Sequence, residues 1–232
     1  MKKKDFLVIL IVVLFFVPFF IFHPLYNAYL NVNRSNPYLM AFVKFALLST
    51  FGEMLAMRIK TGEYYNKNFG VAAKAIVWGF LGMWIALAMN VFSSGVPIIV
   101  DKLIGGHDIT NAMQGNCTIM KLVGAFCISV MMNTSFAPVF MTLHKLFDIH
   151  IANNNGQLKC LAKPMRCAEG LSKINWDVQW NFVFKKTVPL FWIPAHTLTF
   201  CLPKDFQVLF AALLGIALGL ILAIASIMGN KK

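Results

Sequence analysis

Acidic residues are scarce in this chain, with nine aspartates and glutamates among 232 residues. So few carboxylates cannot solvate the surface of a soluble domain of this size. The five cysteines have neither the even number and close spacing of a disulfide framework nor a zinc-binding pattern. The chain also lacks the Gly-x-Ser-x-Gly and phosphate-binding glycine motifs. These absences argue against a soluble globular domain, a disulfide-stabilised secreted domain and the enzyme classes that carry these motifs.

Apolar residues are abundant instead. They make up 59% of the chain, which has 22 phenylalanines and a mean hydropathy of +0.69, whereas soluble domains are about 45–50% apolar. A helix needs about 20 mostly apolar residues to cross a bilayer. The sequence therefore predicts an all-α, multi-pass transmembrane helical bundle with the lipid bilayer as its main partner. The apolar runs lie at 6–22, 39–57, 71–92, 118–143, 187–203 and 206–228.

The first run follows three lysines and could be mistaken for a secretory signal. At 17 residues it exceeds the usual 7–15, and no small-x-small cleavage site follows it. We interpret residues 1–25 as an uncleaved amino-terminal anchor and residues 26–232 as the helical bundle.

The fifth run contains Pro189, Pro194 and Pro203 and is short for a full crossing. It is predicted to be a broken, tilted or re-entrant helix, and these alternatives stay open. Between 93 and 117 the pattern is interrupted, with Pro97–Leu103 predicted as a short interfacial piece. Residues 144–186 are predicted to form a solvated basic connection containing an amphipathic helix near Leu158–Trp180.

The net charge of +12 arises from lysines and arginines placed between the apolar runs. With six crossings and the amino terminus inside, most of these residues fall on the inside, including Lys2, Lys231 and Lys232. The positive-inside rule then favours both termini on that side. If the fifth run is re-entrant instead, the carboxyl terminus lies on the other side and two fewer basic residues fall inside. The basic residues are thus topology signals, and we expect no nucleic-acid partner.

Small residues form stripes at helical spacing, and helices in lipid associate through such stripes by close backbone approach. The last run has one such stripe, the third run has another that ends in the amide of Asn90, and Gly52 lies in the second run. The sequence predicts helix packing at these positions and allows a homo-oligomer. The stripe residues are Ala211, Gly215, Gly219 and Ala223 in the last run, and Ala75, Gly79, Gly82 and Ala86 in the third.

Polar residues within the apolar runs are the candidates for function. Ser49 and Glu53 share one face of the second run, and an intramembrane carboxylate by default faces a cavity or a partner. The alternative is that Glu53 lies near the helix end, where it either snorkels to the interface or pairs with Arg58. Asn90 is either an interhelical hydrogen-bonding residue or part of a pore wall. Asn133 precedes a proline in the fourth run and is a further candidate for a polar pore face.

Catalytic and metal-binding interpretations are weak. The spacing of His144, His150, Cys160 and Cys167 matches no zinc signature. Glu53 is the only carboxylate well inside a predicted span, so no acid–base pair can be assembled at membrane depth. We expect a protein that is not an enzyme and has no catalytic residues, metal site or cofactor.

The segment Leu190–Phe206 resembles the signature of the Mpv-seventeen family, also called the twenty-two-kilodalton peroxisomal membrane protein family. The resemblance covers about Tyr26 to Met228, and the chain departs from the family by having Glu53 for Asp, Met132 for Asp and Gln207 for Arg. His196 falls near the position of the family's Gln. The matching positions are Trp192, Pro194, Phe200, Leu202-Pro203 and Phe206, with Asn36-Pro37, Gly52-Glu53 and Phe136-Ala137-Pro138 upstream.

This resemblance implies a four-helix core in a mitochondrial inner or peroxisomal membrane, to which the first run adds an extra span. It also implies a weakly selective pore for small solutes that contributes to organelle homeostasis. Together with the polar faces, the resemblance makes Ser49, Glu53, Asn90, Asn133 and His196 the pore candidates. The alternative function is a non-catalytic scaffold or assembly protein, for which the small-residue stripes and the basic 144–186 segment are the motivation.

Overall fold

The computed structural model describes residues 3–105 and 108–229, and this part of the chain is helical without strands. Lys2, Lys231 and Lys232, which entered the charge argument, lie outside the described residues. The α-helices are α1 (Lys3–Ile21), α2 (His23–Ser35), α3 (Pro37–Thr61), α4 (Val71–Ile104), α5 (Ile109–Ala112), α6 (Ile119–Asn153), α7 (Cys167–Ser172), α8 (Trp176–Val178), α9 (Ile193–Cys201) and α10 (Lys204–Gly229). A 3₁₀-helix covers Leu158–Ala162, and a π-helix covers Gln179–Trp192.

Local sequence explains where the long helices begin and end. Pro37 occupies the first turn of α3, where its missing N–H would be unpaired anyway. Gly62 ends this helix with φ of 83°, a left-handed conformation that costs glycine little. The side chain of Thr118 accepts from the backbone N–H of Lys121 at the start of α6, as expected of an N-cap.

Within the described residues, five helices are long and apolar enough to cross a membrane: α1, α3, α4, α6 and α10. The prediction of an all-helical chain with several such helices is therefore confirmed. The fifth apolar run is not among the five. It lies in a continuous helical stretch formed by α8, the π-helix and α9, which runs from Trp176 to Cys201 without a break at Pro189 or Pro194.

Two local predictions are wrong. Pro97–Leu103 is not a separate interfacial piece, because α4 continues through it to Ile104; Val96 and Pro97 are buried, and this packing offsets the cost of an internal proline. For the segment 144–186 the predicted helix is wrong: most residues from 152 to 186 are exposed, as expected of a solvated connection, but Leu158–Trp180 is not one amphipathic helix. Instead α6 continues to Asn153, and short helices follow it.

The contacts between helices define two ends of the bundle. At the end that we call proximal, Asp5, Arg58, Lys74 and Asp148 lie in ion pairs. At the distal end, the α2 terminus, the α3 start and the α10 start meet, with Arg34 bound to Asp205. Consecutive long helices therefore run in opposite directions, and the stretch from Trp176 to Cys201 connects the proximal end to the distal end.

A hydrophobic core separates these two ends. It is formed by residues from α3, α4, α6, α9 and α10, which pack as one cluster. Helix α1 contributes no buried residue to it and is joined to the bundle mainly at its two ends. Asp5 binds Arg58 at 2.8 Å and accepts from Tyr64, while the ring of Phe19 contacts that of Tyr29.

Candidate functional site

The proximal end carries a cluster of charged side chains between α3, α4 and α6, which we call the proximal cluster: Glu53, Lys74, Trp78, His144 and Asp148. The ammonium of Lys74 binds Glu53 Oε2 at 2.6 Å and also contacts Asp148 Oδ1. Glu53 Oε1 accepts from Trp78 Nε1 at 2.7 Å and lies 3.3 Å from His144 Nε2. His144 Nε2 also lies 3.8 Å from Asp148 Oδ2, so each carboxylate has at least two neighbours that can carry positive charge or donate.

Helix geometry explains how the proximal cluster forms. Lys74 lies in the first turn of α4, whereas Glu53 lies two turns before the end of the antiparallel α3. His144 and Asp148 are four residues apart on α6, so they occupy the same face of that helix. The ring of Trp78 packs on the imidazole of His144 at 4.3 Å between centroids.

The proximal cluster has the ligand types that a metal ion would need. Ligand atoms of Glu53, His144 and Asp148 lie within 4.8 Å of one another. Lys74, however, already places a cation between the two carboxylates. We interpret the cluster as an ion-pair network that joins three helices, with Lys74 as its cation.

The predicted alternative for Glu53, pairing with Arg58, is wrong. The guanidinium of Arg58 binds both carboxylate oxygens of Asp5 instead, at 2.8 and 2.9 Å. The cation that pairs with Glu53 is Lys74 of α4. Asp148, which lies beyond the predicted end of the fourth run, is a second carboxylate beside it.

Asn133 and His196 meet in the middle of the bundle. The amide of Asn133 lies 3.0 Å from His196 Nδ1, and it also donates to the carbonyl of Ser129 at 2.8 Å. Both residues are buried, and Trp192 stacks on the imidazole of His196. Since Ser129 Oγ also donates to the carbonyl of Ile193 at 2.7 Å, polar bonds join α6 to α9 at this level.

Asn90 lies at the distal end, where its amide donates to the hydroxyl of Tyr38 at 3.4 Å. It lines an open cavity of about 730 Å³, which we call the distal cavity. This cavity lies between the end of α2, the starts of α3 and α10, and residues 86–97 of α4. Asp205 and Arg34 form an ion pair of 2.7 Å in its wall. Further polar residues in the wall are Asn33, Ser93, Ser94, Thr110, Gln114, Lys121, Lys204 and Gln207.

Ser49 lies inside the bundle, 5% exposed, and its hydroxyl has no hydrogen-bond partner among the described residues. The five pore candidates thus do not form one continuous polar face. Asn133 and His196 are in contact, Glu53 belongs to the proximal cluster, and Asn90 belongs to the distal cavity.

The glycines predicted for packing differ in their surroundings. A Cβ on Gly82 would lie 2.4 Å from Phe45 Cβ, and one on Gly79 would lie 2.4 Å from the ring of Phe42. A Cβ on Gly52 would lie 2.9 Å from the side chain of Ile216 in α10. Gly219 approaches the carbonyl of Gly52, whereas a Cβ on Gly215 would meet nothing within 4 Å.

On α10, Ala211 and Ala223, the ends of the predicted stripe, are buried, with exposed fractions of 5% and 0%. The stripe therefore faces neighbouring helices at its two ends, whereas the space beside Gly215 is open.

Sequence reasoning missed Lys74, Trp78, His144 and Asp148 as members of one cluster. The i, i+4 spacing of His144 and Asp148 was a usable signal, but it lay beyond the predicted end of the fourth run. The place of Lys74 in the first turn of a helix gave no indication of which carboxylate it meets.

Comparison of the chain with protein-family models, with curated proteins and with solved structures finds no match.

Proposed function

We propose that this chain is a multi-pass integral membrane protein that admits small polar solutes and lets them permeate an organelle membrane. The observation that carries the proposal is the distal cavity, because amides, hydroxyls and charged groups converge there beside the apolar helices α3, α4 and α10. Polar groups at the ends of membrane helices ordinarily face water or a solute. A volume of about 730 Å³ accommodates a small solute together with water.

The hydrophobic core lies between the distal cavity and the proximal cluster. Met89 and Phe200 line the cavity and belong to this core. A permeating solute must displace core side chains to reach the proximal cluster, so the described conformation corresponds to a closed state. Glu53 and Lys74 are then the charged groups that a solute meets at the proximal end.

The test is solute flux into liposomes that contain the purified full-length chain, measured by swelling with glycerol and sucrose. Asn90→Phe places a ring in the distal cavity and should lower the flux several-fold. Val91→Phe is the matched control, because Val91 is the next residue of α4 and is 60% exposed. Flux equal to that of protein-free liposomes contradicts the proposal, as does equal flux through the Asn90 and Val91 variants.

The organelle is part of the proposal. The resemblance of Leu190–Phe206 to the Mpv-seventeen family supports membership in that family, as a divergent member, and a mitochondrial inner or peroxisomal location. Imaging a carboxyl-terminal fluorescent fusion against markers of both organelles tests this assignment. A fusion confined to another membrane contradicts it.

The second candidate is a non-conducting scaffold, and the open space beside Gly215 favours it. On another face of the same helix, Leu213, Ile221 and Ile224 are 40–53% exposed, so α10 also offers an apolar surface to a second copy. Crosslinking and native mass spectrometry should then show a stable oligomer. A monomer with measurable flux rules this candidate out.

A further inference from the structure

A second cavity, separate from the distal cavity, lies between α1 and the face of α3 and α10. We call it the α1 groove; its volume is about 640 Å³. Four phenylalanines of α1 line one side, and apolar side chains such as Leu47 and Leu209 line the other. The phenylalanines are Phe15, Phe16, Phe19 and Phe20.

Lys44 is the one lysine or arginine among the residues that line the α1 groove. This lysine is 6% exposed, and its Nζ donates to Asn33 Oδ1 at 2.5 Å. An ammonium has three donors, so Asn33 takes up one of them. Within the described residues Lys44 makes no ion pair within 4.0 Å.

Tyr29 lies beside Lys44, whose Nζ is 5.3 Å from the centroid of its ring. The Tyr29 hydroxyl is buried and has no hydrogen-bond partner among the described residues. Burial raises the pKa of this phenol, so the hydroxyl stays protonated near neutral pH and can donate. A buried hydroxyl that bonds to nothing is costly and indicates a missing acceptor.

Asn33 connects Lys44 to two charged groups, Asp205 and Arg34. Asp205 forms two close contacts with Arg34, at 2.7 and 3.1 Å, and accepts from Asn33 at 3.4 Å. The carboxylate of Asp205 is therefore paired with Arg34, and its connection to Lys44 is indirect, through the side chain of Asn33. A buried ammonium without a direct anion is expensive, and an anion bound in the groove would relieve that cost.

We propose that the α1 groove binds the anion of a long-chain fatty acid, with its carboxylate on Lys44 and Tyr29 and its chain along the phenylalanines of α1. One ammonium and one hydroxyl match the two oxygens of a single carboxylate. The apolar lining of the groove and its volume of about 640 Å³, which is in the range of small-molecule sites, suit one alkyl chain.

The test uses the full-length chain in mild detergent at pH 8 with a photoreactive palmitate, whose crosslinks are mapped by mass spectrometry. The crosslinks should fall on α1 and on the α3 face near Leu47. Unlabelled palmitate should block them at concentrations at least tenfold lower than hexadecanol or phosphatidylglycerol. Equal competition by hexadecanol, stronger competition by phosphatidylglycerol, or crosslinks elsewhere would overturn the proposal.

Variants separate headgroup recognition from general lipid contact. Lys44→Met keeps the apolar stem and removes the charge, so it should weaken palmitate competition at least tenfold while hexadecanol competition stays the same. Tyr29→Phe should weaken palmitate competition several-fold. Lys102→Met is the matched control, since Lys102 is exposed at the end of α4 and outside the groove. An unchanged Lys44 variant, or an equal loss in the Lys102 variant, contradicts the assignment.

A third variant keeps the test decisive if Lys44→Met does not fold. Leu47 is 55% exposed and lines the groove, so Leu47→Trp should fill the groove without disturbing the core. It should lower palmitate crosslinking several-fold at an unchanged melting temperature. Undiminished crosslinking in both Leu47→Trp and Tyr29→Phe would overturn the proposal.

Discussion

Lys74 is the least exposed of the charged residues in the proximal cluster and has two carboxylates as neighbours. Its side chain is 12% exposed and contacts two carboxylates, those of Glu53 and Asp148, which are 23% and 27% exposed. Two carboxylates this close repel each other unless a cation lies between them. We therefore expect Lys74 to determine whether α3, α4 and α6 can close at the proximal end.

We predict that Lys74→Met lowers stability by about 3 kcal/mol, because it leaves two carboxylates facing each other with little water. For a chain of this size this corresponds to a fall in melting temperature of roughly 6–12 °C. This fall is measured by comparing the thermal unfolding of the purified Lys74→Met variant in detergent with that of the unchanged chain. Glu53→Gln should cost less, since Lys74 keeps Asp148 as its partner.

Lys102→Met serves as the control, because Lys102 is exposed and outside the proximal cluster. A melting temperature that falls equally in the Lys74 and Lys102 variants would show that the ion pairs do not hold the helices together. So would an effect of Glu53→Gln as large as that of Lys74→Met.

At the scale of elements, α3 is the centre of the bundle, with α4 on one side and α10 on another. Glycine makes both contacts close. Gly82 of α4 lies against Phe45, and Gly52 of α3 lies against Ile216 of α10. Because helices in lipid gain little from hydrophobic burial, their association depends on such close approaches.

We predict opposite outcomes for alanine at two helical glycines. Gly82→Ala brings a methyl group to 2.4 Å from Phe45 Cβ, and such overpacking costs about 1–3 kcal/mol. Gly215→Ala meets open space, so the higher helix propensity of alanine leaves stability unchanged or raises it by up to about 1 kcal/mol. Melting temperatures of the two variants, measured side by side, check this.

The same comparison distinguishes packing within one chain from packing between chains. If Gly215→Leu disrupts an oligomer while the melting temperature of the monomer is unchanged, α10 meets a second copy at this glycine. Destabilisation of the monomer by Gly215→Ala would contradict the open space described here.

For the whole molecule, the alternating helix directions place the two ends of the bundle on opposite sides of any membrane that it spans. The exposed Cys117 precedes α6 at the distal end, whereas the exposed Cys167 begins α7 at the proximal end. These two native cysteines can therefore be used to determine on which side of the membrane each end lies, without introducing a new cysteine.

We predict that a membrane-impermeant maleimide labels Cys117 and Cys167 from opposite sides of sealed vesicles. The positive-inside rule puts the proximal end inside. A reagent added outside the vesicles should therefore label Cys117 at once and Cys167 only after the membrane has been permeabilised. Single-cysteine variants that retain one of the two residues provide the measurement. Labelling of both from the same side would refute the helix order given above.

The elements were largely predictable, because long apolar runs determine helices whatever lies around them. The boundaries were less so. Helix α6 passes the predicted end of its run and adds Asp148, because a helix that is anchored by packing can continue through polar residues. The continuity of α4 through Pro97 has the same cause, since burial of Val96 and Pro97 depends on neighbours distant in the chain.

By itself, the sequence determined an all-helical chain with several helices long enough to span a bilayer, because hydropathy and length are local properties. Only the tertiary structure decided which polar groups meet. Lys74 pairs with Glu53 across α3 and α4, Arg58 pairs with Asp5, and Asn133 reaches His196. The physical reason is that an ion pair or hydrogen bond depends on the rotation and relative height of two separate helices. Packing of small residues sets these quantities, and the position of a charge in the chain does not reveal them.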